Sequence, residues 1–252
     1  MSQRLSPEEI DRFGADPQET FARNLAGLRE RIAAAALRAG RDPAEIRLLA
    51  VSKTVPASAL RAALAAGISD FGENKVQEGL EKSAELAGTS ARWSVIGHLQ
   101  SNKINQMLRF AHEFHALDSL KLAEALDRRL EAEGRALEVL VQVNTSGEES
   151  KSGLPPEALP EFLDALPRFA RLRPRGLMTL AALTEDQARI RECFRLLRRL
   201  RDEAVGAHPE IRALSMGMSG DFEAAVEEGA TILRLGSALF GARNPGPSIT
   251  PA

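Results

Sequence analysis

From residue 47 to residue 235 short apolar runs alternate with helical segments, and this alternation constrains the fold more than any other feature of the chain. Candidate strands fall at 47–51, 69–72, 93–97, 113–117, 138–144, 173–178, 213–216 and 231–235. Helical segments fill the gaps, clearest at 58–66, 76–87, 103–110, 120–133, 156–166, 185–205 and 222–228. Strands separated by helices pair in parallel, because a parallel neighbour needs a crossover long enough to hold a helix. Right-handed crossovers and eight units in 252 residues fit a closed (β/α)8 barrel of the TIM type. A doubly wound open sheet is the alternative. Ahead of the first strand, Asp16-Pro17 with Glu19 reads as a cap, a first-turn proline and an early acid. The helix they start runs to Ala39 and ends at Gly40. Only Phe240-Gly241-Ala242-Arg243 and a proline-rich tail follow the last strand, so this early helix is expected to cover the barrel where an eighth helix would lie. The reading is one α/β barrel domain over 1–243, with 1–15 a flexible lead-in and 244–252 a disordered tail.

Composition narrows the function classes. A net charge of −2 with 27% charged residues points to neither nucleic acid nor an anionic membrane surface. No apolar run is long enough to span a bilayer, and the first nine residues lack the apolar core of a signal peptide. Cys193 is the only cysteine, so no internal disulfide is possible, and it reads as a small residue on the face of an Arg-rich helix. A cytoplasmic protein is expected. There is no tyrosine, so a mechanism that needs a phenol cannot draw one from this chain.

The first strand carries the informative residue. Leu48-Leu49-Ala50-Val51 reads as a strand buried on both faces, and Ser52-Lys53-Thr54 follows before Pro56 opens a helix. This puts an amine at the carboxyl end of a strand, where barrels place their chemistry. A desolvated amine there can attack a carbonyl as the free base. The competing reading is a lysine that leaves the strand for solvent. The carboxyl ends of all eight strands converge on one face, and they supply Glu73 and Asn74, His98, Asp118, Asn144, Met178, the stretch Ser215 to Ser219, and Arg234, Gly236 and Ser237.

Two of these segments suit a phosphate. Ser215-Met216-Gly217-Met218-Ser219-Gly220-Asp221 leaves a strand and enters a helix, with glycines for close backbone approach and hydroxyls as donors. The next strand ends in Arg234-Leu235-Gly236-Ser237 at the same rim. Loops after strands seven and eight are a common phosphate position in barrels, although Ser-Gly-Asp also suits a turn and helix cap. An amine facing such a cradle suggests a phosphorylated aldehyde bound as a Schiff base, and pyridoxal 5′-phosphate (PLP) fits that description. A metal is not expected, since His98, His112, His115 and His208 show no zinc-type spacing. Dinucleotide and Walker loops are absent. The basic run Arg195-x-x-Arg198-Arg199-x-Arg201 lies on one long helix and reads as a solvated face.

Six collinear motifs resemble the pyridoxal-phosphate homeostasis proteins. They are Ala50-Val51-Ser52-Lys53-Thr54, Phe71-Gly72-Glu73-Asn74-x-x-Gln77-Glu78, and Trp93-x-x-Ile96-Gly97-x-Leu99-Gln100-x-Asn102-Lys103. The others are Gly176-Leu177-Met178-Thr179, Ser215-Met216-Gly217-Met218-Ser219-x-Asp221 and Arg234-x-Gly236-x-x-x-Phe240-Gly241. The similarity runs from about residue 20 to 243. It implies a barrel like the amino-terminal domain of alanine racemase, with PLP held as a covalent imine on Lys53. It also implies that Ser215, Ser219, Gly236 and Ser237 surround the phosphate and that Asn74 and Met178 lie near the ring. His98, Met216, Gly217 and Arg234 join the expected cofactor-binding set, and Asp221 is expected to cap its helix.

Related racemases pair the lysine with a tyrosine from a partner's added β-domain, and this chain has neither that tyrosine nor residues to spare for the domain. Arginine against the ring nitrogen would weaken the electron sink that catalysis needs. The expectation is therefore a monomeric, non-catalytic holder that buffers PLP or delivers it to apo PLP-dependent enzymes, affecting vitamin B6 and amino-acid homeostasis. A cryptic amino-acid enzyme and a Schiff-base aldolase of similar barrel type are the competing hypotheses.

Overall fold

The computed structural model describes residues 7–242. Eight parallel strands close into a barrel in sequence order: β1 Arg47–Val51, β2 Asp70–Glu73, β3 Arg92–Val95, β4 Glu113–Leu117, β5 Leu137–Gln142, β6 Leu172–Met178, β7 Ala213–Ser215 and β8 Ile232–Leu235. Closure comes from β1 pairing with β8, where Leu49 stands opposite Arg234. The expected open-sheet alternative is thereby excluded. The helices are α1 Pro7–Phe13, α2 Pro17–Arg38, α3 Ala57–Ala65, α4 Val76–Glu85, α5 Ile104–Leu108, α6 Leu120–Ala132, α7 Leu159–Ala165, α8 Gln187–Ala204, α9 Phe222–Glu227 and α10 Ser237–Phe240.

The long early helix starts as its sequence dictates. The Asp16 carboxylate accepts from the Glu19 amide at 3.1 Å, and Pro17 occupies the first turn, where no amide donor is missed. Phe21, Leu25, Leu28, Ile32 and Ala35 recur on one face and are buried. That face packs on α9, α3 and α10, which places α2 in the gap an eighth barrel helix would fill.

Residues 7–13 differ from the flexible lead-in expected of 1–15. They form α1, whose Phe13 is 1% exposed and meets the Phe21 ring edge-on at 5.9 Å. Phe21 in turn meets Phe240 at 5.2 Å. An aromatic cluster of this kind buries enough apolar surface to dock a two-turn helix that could not persist alone. The tail expected at 244–252 lies outside the described residues.

The helix expected at 156–166 is interrupted. Tight 3-10 turns at Pro156–Ala158 and Leu166–Arg168 flank α7, because Pro156, Pro160 and Pro167 each remove an amide donor. The third strand stops at Val95, two residues short of expectation. A side chain at Gly97 would sit 2.3 Å from the Asn74 carbonyl oxygen, so the chain there turns tightly against the β2 loop instead of extending.

Candidate functional site

Lys53 leaves the barrel at the end of β1, with the Ser52 amide continuing the ladder to the Gly72 carbonyl at 3.0 Å. The next residue, Thr54, has φ +63°, the left-handed region that side chains other than glycine's disfavour. Lys53 is half-buried and lines a cavity of about 350 Å³ at the carboxyl ends of the strands. Asn74 from the β2 loop lines it together with Val51, Ile96 and Leu180.

The wall next to β1 comes from two loops that are tied together, since β8 pairs with β1 and Gly236 lies against Val51. After β7, the Asp221 carboxylate accepts from the Met218 amide at 2.5 Å and closes a tight turn around Ser219 and Gly220. Ser219 Oγ accepts from the Ala238 amide at 3.2 Å, linking this loop to α10 and the Gly236-Ser237 turn. Asp221 does not cap α9 with its side chain as expected; at φ −138° and ψ 6° it lacks the extended cap geometry, and its carboxylate folds back over the turn. Gly217 sits at φ +94°, and a Cβ there would stand 2.6 Å from that of Ala225. Gly220 is the contrary case, for a Cβ would meet no protein atom within 4 Å. Protein packing does not require glycine at 220, whereas close approach of a ligand to the backbone would.

Arg234 closes the floor. Its guanidinium, 3% exposed, donates to Ser215 Oγ at 2.8 Å and to the Thr179 carbonyl at 2.7 Å. Burial pushes it down to about 10, still cationic at neutral pH, with Asp221 opposing that shift. Behind Ser215 the polar chain continues through the barrel. His115 Nδ1 lies 3.3 Å from Ser215 Oγ, and its Nε2 lies 2.9 Å from Glu113. Arg47 grips Glu113 with both terminal nitrogens, at 2.6 and 2.5 Å. Burial holds His115 below the usual imidazole range. Burial opposes ionisation of Glu113 too, but its bonds to Arg47 and His115 win and hold it well below the usual carboxylate range.

The structure brings Lys53, Asn74, Ser219, Arg234, Gly236 and Ser237 to the cavity wall. Ser215 stands behind Arg234, and Met178 and Met216 are buried at 1% and 0% exposure without lining the cavity. Gly217 shapes the loop and does not line the cavity either. His98 is not brought in: the turn at Gly97 sends it outward, its side chain 59% exposed and 3.8 Å from Asp118. Sequence reasoning missed Arg12, Gly241 and Leu180. Arg12, on α1, donates to the Thr54 carbonyl at 2.8 Å, and Gly241 (φ +82°) passes so close to the Arg12 carbonyl that a Cβ would stand 2.6 Å from it. Nothing in the pattern of the first fifteen residues signals that contact.

The wall thus contains three cations, Lys53, Arg12 and Arg234, two hydroxyls and no carboxylate. This donor set fits a dianionic phosphate ester that also carries an aldehyde, which is the chemistry of PLP. Among the described residues there is no cluster of side chains that could hold a metal, and no helix is long and apolar enough to cross a membrane.

Comparison with known proteins gives the family. The model of the alanine racemase N-terminal domain matches residues 23–244. A pyridoxal phosphate homeostasis protein of Pseudomonas aeruginosa is 48% identical over 227 residues, 90% of this chain and 97% of the relative. The chain belongs to the pyridoxal phosphate homeostasis proteins. The Escherichia coli member is 45% identical over 89% of this chain and 97% of its own length. Among solved structures, PipY, the family member of Synechococcus elongatus, with PLP bound, superposes at a TM-score of 0.77, with 37% identity over 88% of this chain and all of that one. The expected barrel of alanine racemase N-terminal-domain type is accordingly the observed fold of this family member.

Proposed function

We propose that this chain binds PLP as a covalent imine on Lys53 and acts as a reversible holder of the cofactor, within vitamin B6 and amino-acid homeostasis. The observation that carries the reading is the cavity itself, which Lys53 and the phosphate-type turn at Ser219-Gly220 line together, with three cations and no acid in its wall. The cofactor supplies an aldehyde. Lys53 Nζ would supply the free amine that condenses with this aldehyde, with loss of water; water adding back would free the aldehyde, whereas a second amine would displace Lys53 and carry the cofactor away as its own imine. Ser219, Ser237 and the backbone at Gly220 and Gly236 hold the phosphate, while Arg234 and Asn74 hold the ring.

The same chain supplies the amine, the phosphate turn and the buried cation, so one copy suffices and a monomer is the proposed state. With no tyrosine in the sequence, the second base of a two-base racemase is lacking. The proposed role is therefore holding and delivery, with apo PLP-dependent enzymes as recipients, and not turnover of amino acids.

The test is the visible spectrum of purified protein with PLP, before and after borohydride, followed by mapping of the labelled lysine. Absorbance lost in Lys53→Ala and a label on Lys53 are expected. A label on Lys75, Lys103 or Lys151 would overturn the assignment. Exchange of the α-proton of any amino acid at catalytic rates would overturn the non-catalytic reading.

A further inference from the structure

The motif Gly72-Glu73-Asn74-x-x-Gln77-Glu78 is longer than its one contribution to the cavity, Asn74, requires. The rest of it builds an ionic cluster beneath the Lys53 loop. Glu78 and Lys82 are one turn apart on α4, and Lys82 Nζ lies 2.6 Å from Glu78 Oε1. The Lys82 side chain is 8% exposed, and its three donors are all used: Glu78, Glu73 Oε1 at 2.8 Å, and the Ser52 carbonyl at 2.6 Å. Glu78 Oε1 in turn accepts from the Thr54 amide at 2.6 Å. Glu73 Oε1 also accepts from Ser52 Oγ at 2.7 Å.

Ser52 and Thr54 flank Lys53 in the chain. One ion pair on α4 therefore holds the carbonyl two bonds before the Lys53 Cα side of the loop and the amide that follows it. Thr54 occupies its left-handed conformation between these anchors. A loop so fixed aims its side chain along one direction. An unpaired loop would let the threonine relax and the lysine swing.

We infer that Glu78 and Lys82 are positioning residues for Lys53, setting the presentation of its amine to the aldehyde through the two peptide groups on either side of it. The inference rests on the reading of Lys53 as the imine-forming amine.

Lys82→Met and Glu78→Ala test it with two ligands. PLP reports condensation through its visible absorbance. Pyridoxine 5′-phosphate has an alcohol in place of the aldehyde and reports non-covalent binding alone. In both variants imine formation is expected to slow by about tenfold to a hundredfold, the scale at which misplacing a reacting group acts. Affinity for pyridoxine 5′-phosphate is expected to stay within about twofold, because the phosphate turn and Arg234 are untouched. Wild-type condensation rates in both variants would overturn the inference, as would a parallel loss of both readouts, which marks a merely structural role. Should Lys82→Met fail to fold, Glu78→Ala carries the test, since Glu78 lies at the cluster's edge with its side chain 26% exposed. Absence of a borohydride label on Lys53 in the wild type would sink the holder reading instead; a normal label with normal rates in the variants sinks this inference alone.

Discussion

Arg234 donates to Ser215 Oγ at 2.8 Å, and that bond sets the hydrogen-bond polarity of the buried chain from Ser215 through His115 to Glu113. A guanidinium can only donate, so the hydroxyl proton of Ser215 is left to point at His115 Nδ1. The imidazole then carries its own proton on Nε2, toward Glu113. Removing the serine hydroxyl strands one donor of Arg234 and the Nδ1 of His115 at once. Ser215→Ala should cost about 1–3 kcal/mol of folding stability and loosen the cation that lines the cavity. Chemical denaturation and a PLP titration check the two halves; a variant as stable as wild type would show that this chain of bonds is not holding Arg234.

The same network gives the protein a pH dependence. Burial keeps His115 neutral in the folded state, whereas the unfolded imidazole takes up a proton near its ordinary value of about 6.5. Below that pH the unfolded state binds the extra proton, so stability falls as pH falls. Glu113, shifted downward, acts in the same sense at lower pH: its contribution is full above about 4.3 and is lost on further acidification. Glu73, Asp118 and Asp221, pushed up by burial, work the other way. A comparison with His115→Gln cancels them. The stability gap between wild type and this variant should shrink by up to about 1.4 kcal/mol per pH unit from pH 7 toward pH 5. A gap that is constant with pH would mean His115 titrates normally.

The barrel was legible because its signals are local and repeated. Apolar strand runs and amphipathic helices recur with their own caps, so β1 and β4 match their expected bounds. Lys53 and the two glycine-serine turns were legible because strand ends in a barrel have one destination. Contacts between segments distant in sequence were not. Arg12 reaches Thr54 across 42 residues, and the Lys82 cluster joins α4 to a loop 30 residues earlier. His98, expected in the cofactor-binding set, does not line the cavity, and its position at a strand end hides the steric demand that Gly97 meets against Asn74.

Docking of α1 should therefore matter to ligand binding. Phe13→Ala removes the aromatic contact that seats the helix on Phe21, and Arg12→Ala removes the bond to the Thr54 carbonyl directly. Each should weaken PLP binding about fivefold to thirtyfold, the equivalent of about 1–2 kcal/mol. Amide exchange over residues 7–13 should rise in Phe13→Ala and not in Arg12→Ala. Equal affinity in both variants and wild type would show that α1 is only a cover.

Gly97 has the tightest link to Asn74. A methyl group there must displace the Asn74 carbonyl, so Gly97→Ala should destabilise the protein by about 1–3 kcal/mol and weaken PLP binding with it. Gly206→Ala is the control, since its Cβ meets nothing within 4 Å, and it should stay within about 0.5 kcal/mol of wild type. Matching melting temperatures for the two variants would contradict the steric argument.

Gly220 separates binding from folding most cleanly. A Cβ at this position touches no protein atom within 4 Å, and its φ lies outside the left-handed region, so Gly220→Ala should change stability by less than about 0.5 kcal/mol. If the phosphate lies against this backbone, the same methyl occupies the space that the ligand needs. PLP affinity should then fall about tenfold or more, while condensation with pyridoxal, which lacks the phosphate, should be weak in wild type and unaffected by the substitution. Parallel titrations with the two aldehydes make the comparison. An unchanged PLP affinity in Gly220→Ala would move the phosphate away from the Ser219-Gly220 turn and leave the Gly236-Ser237 turn to hold it.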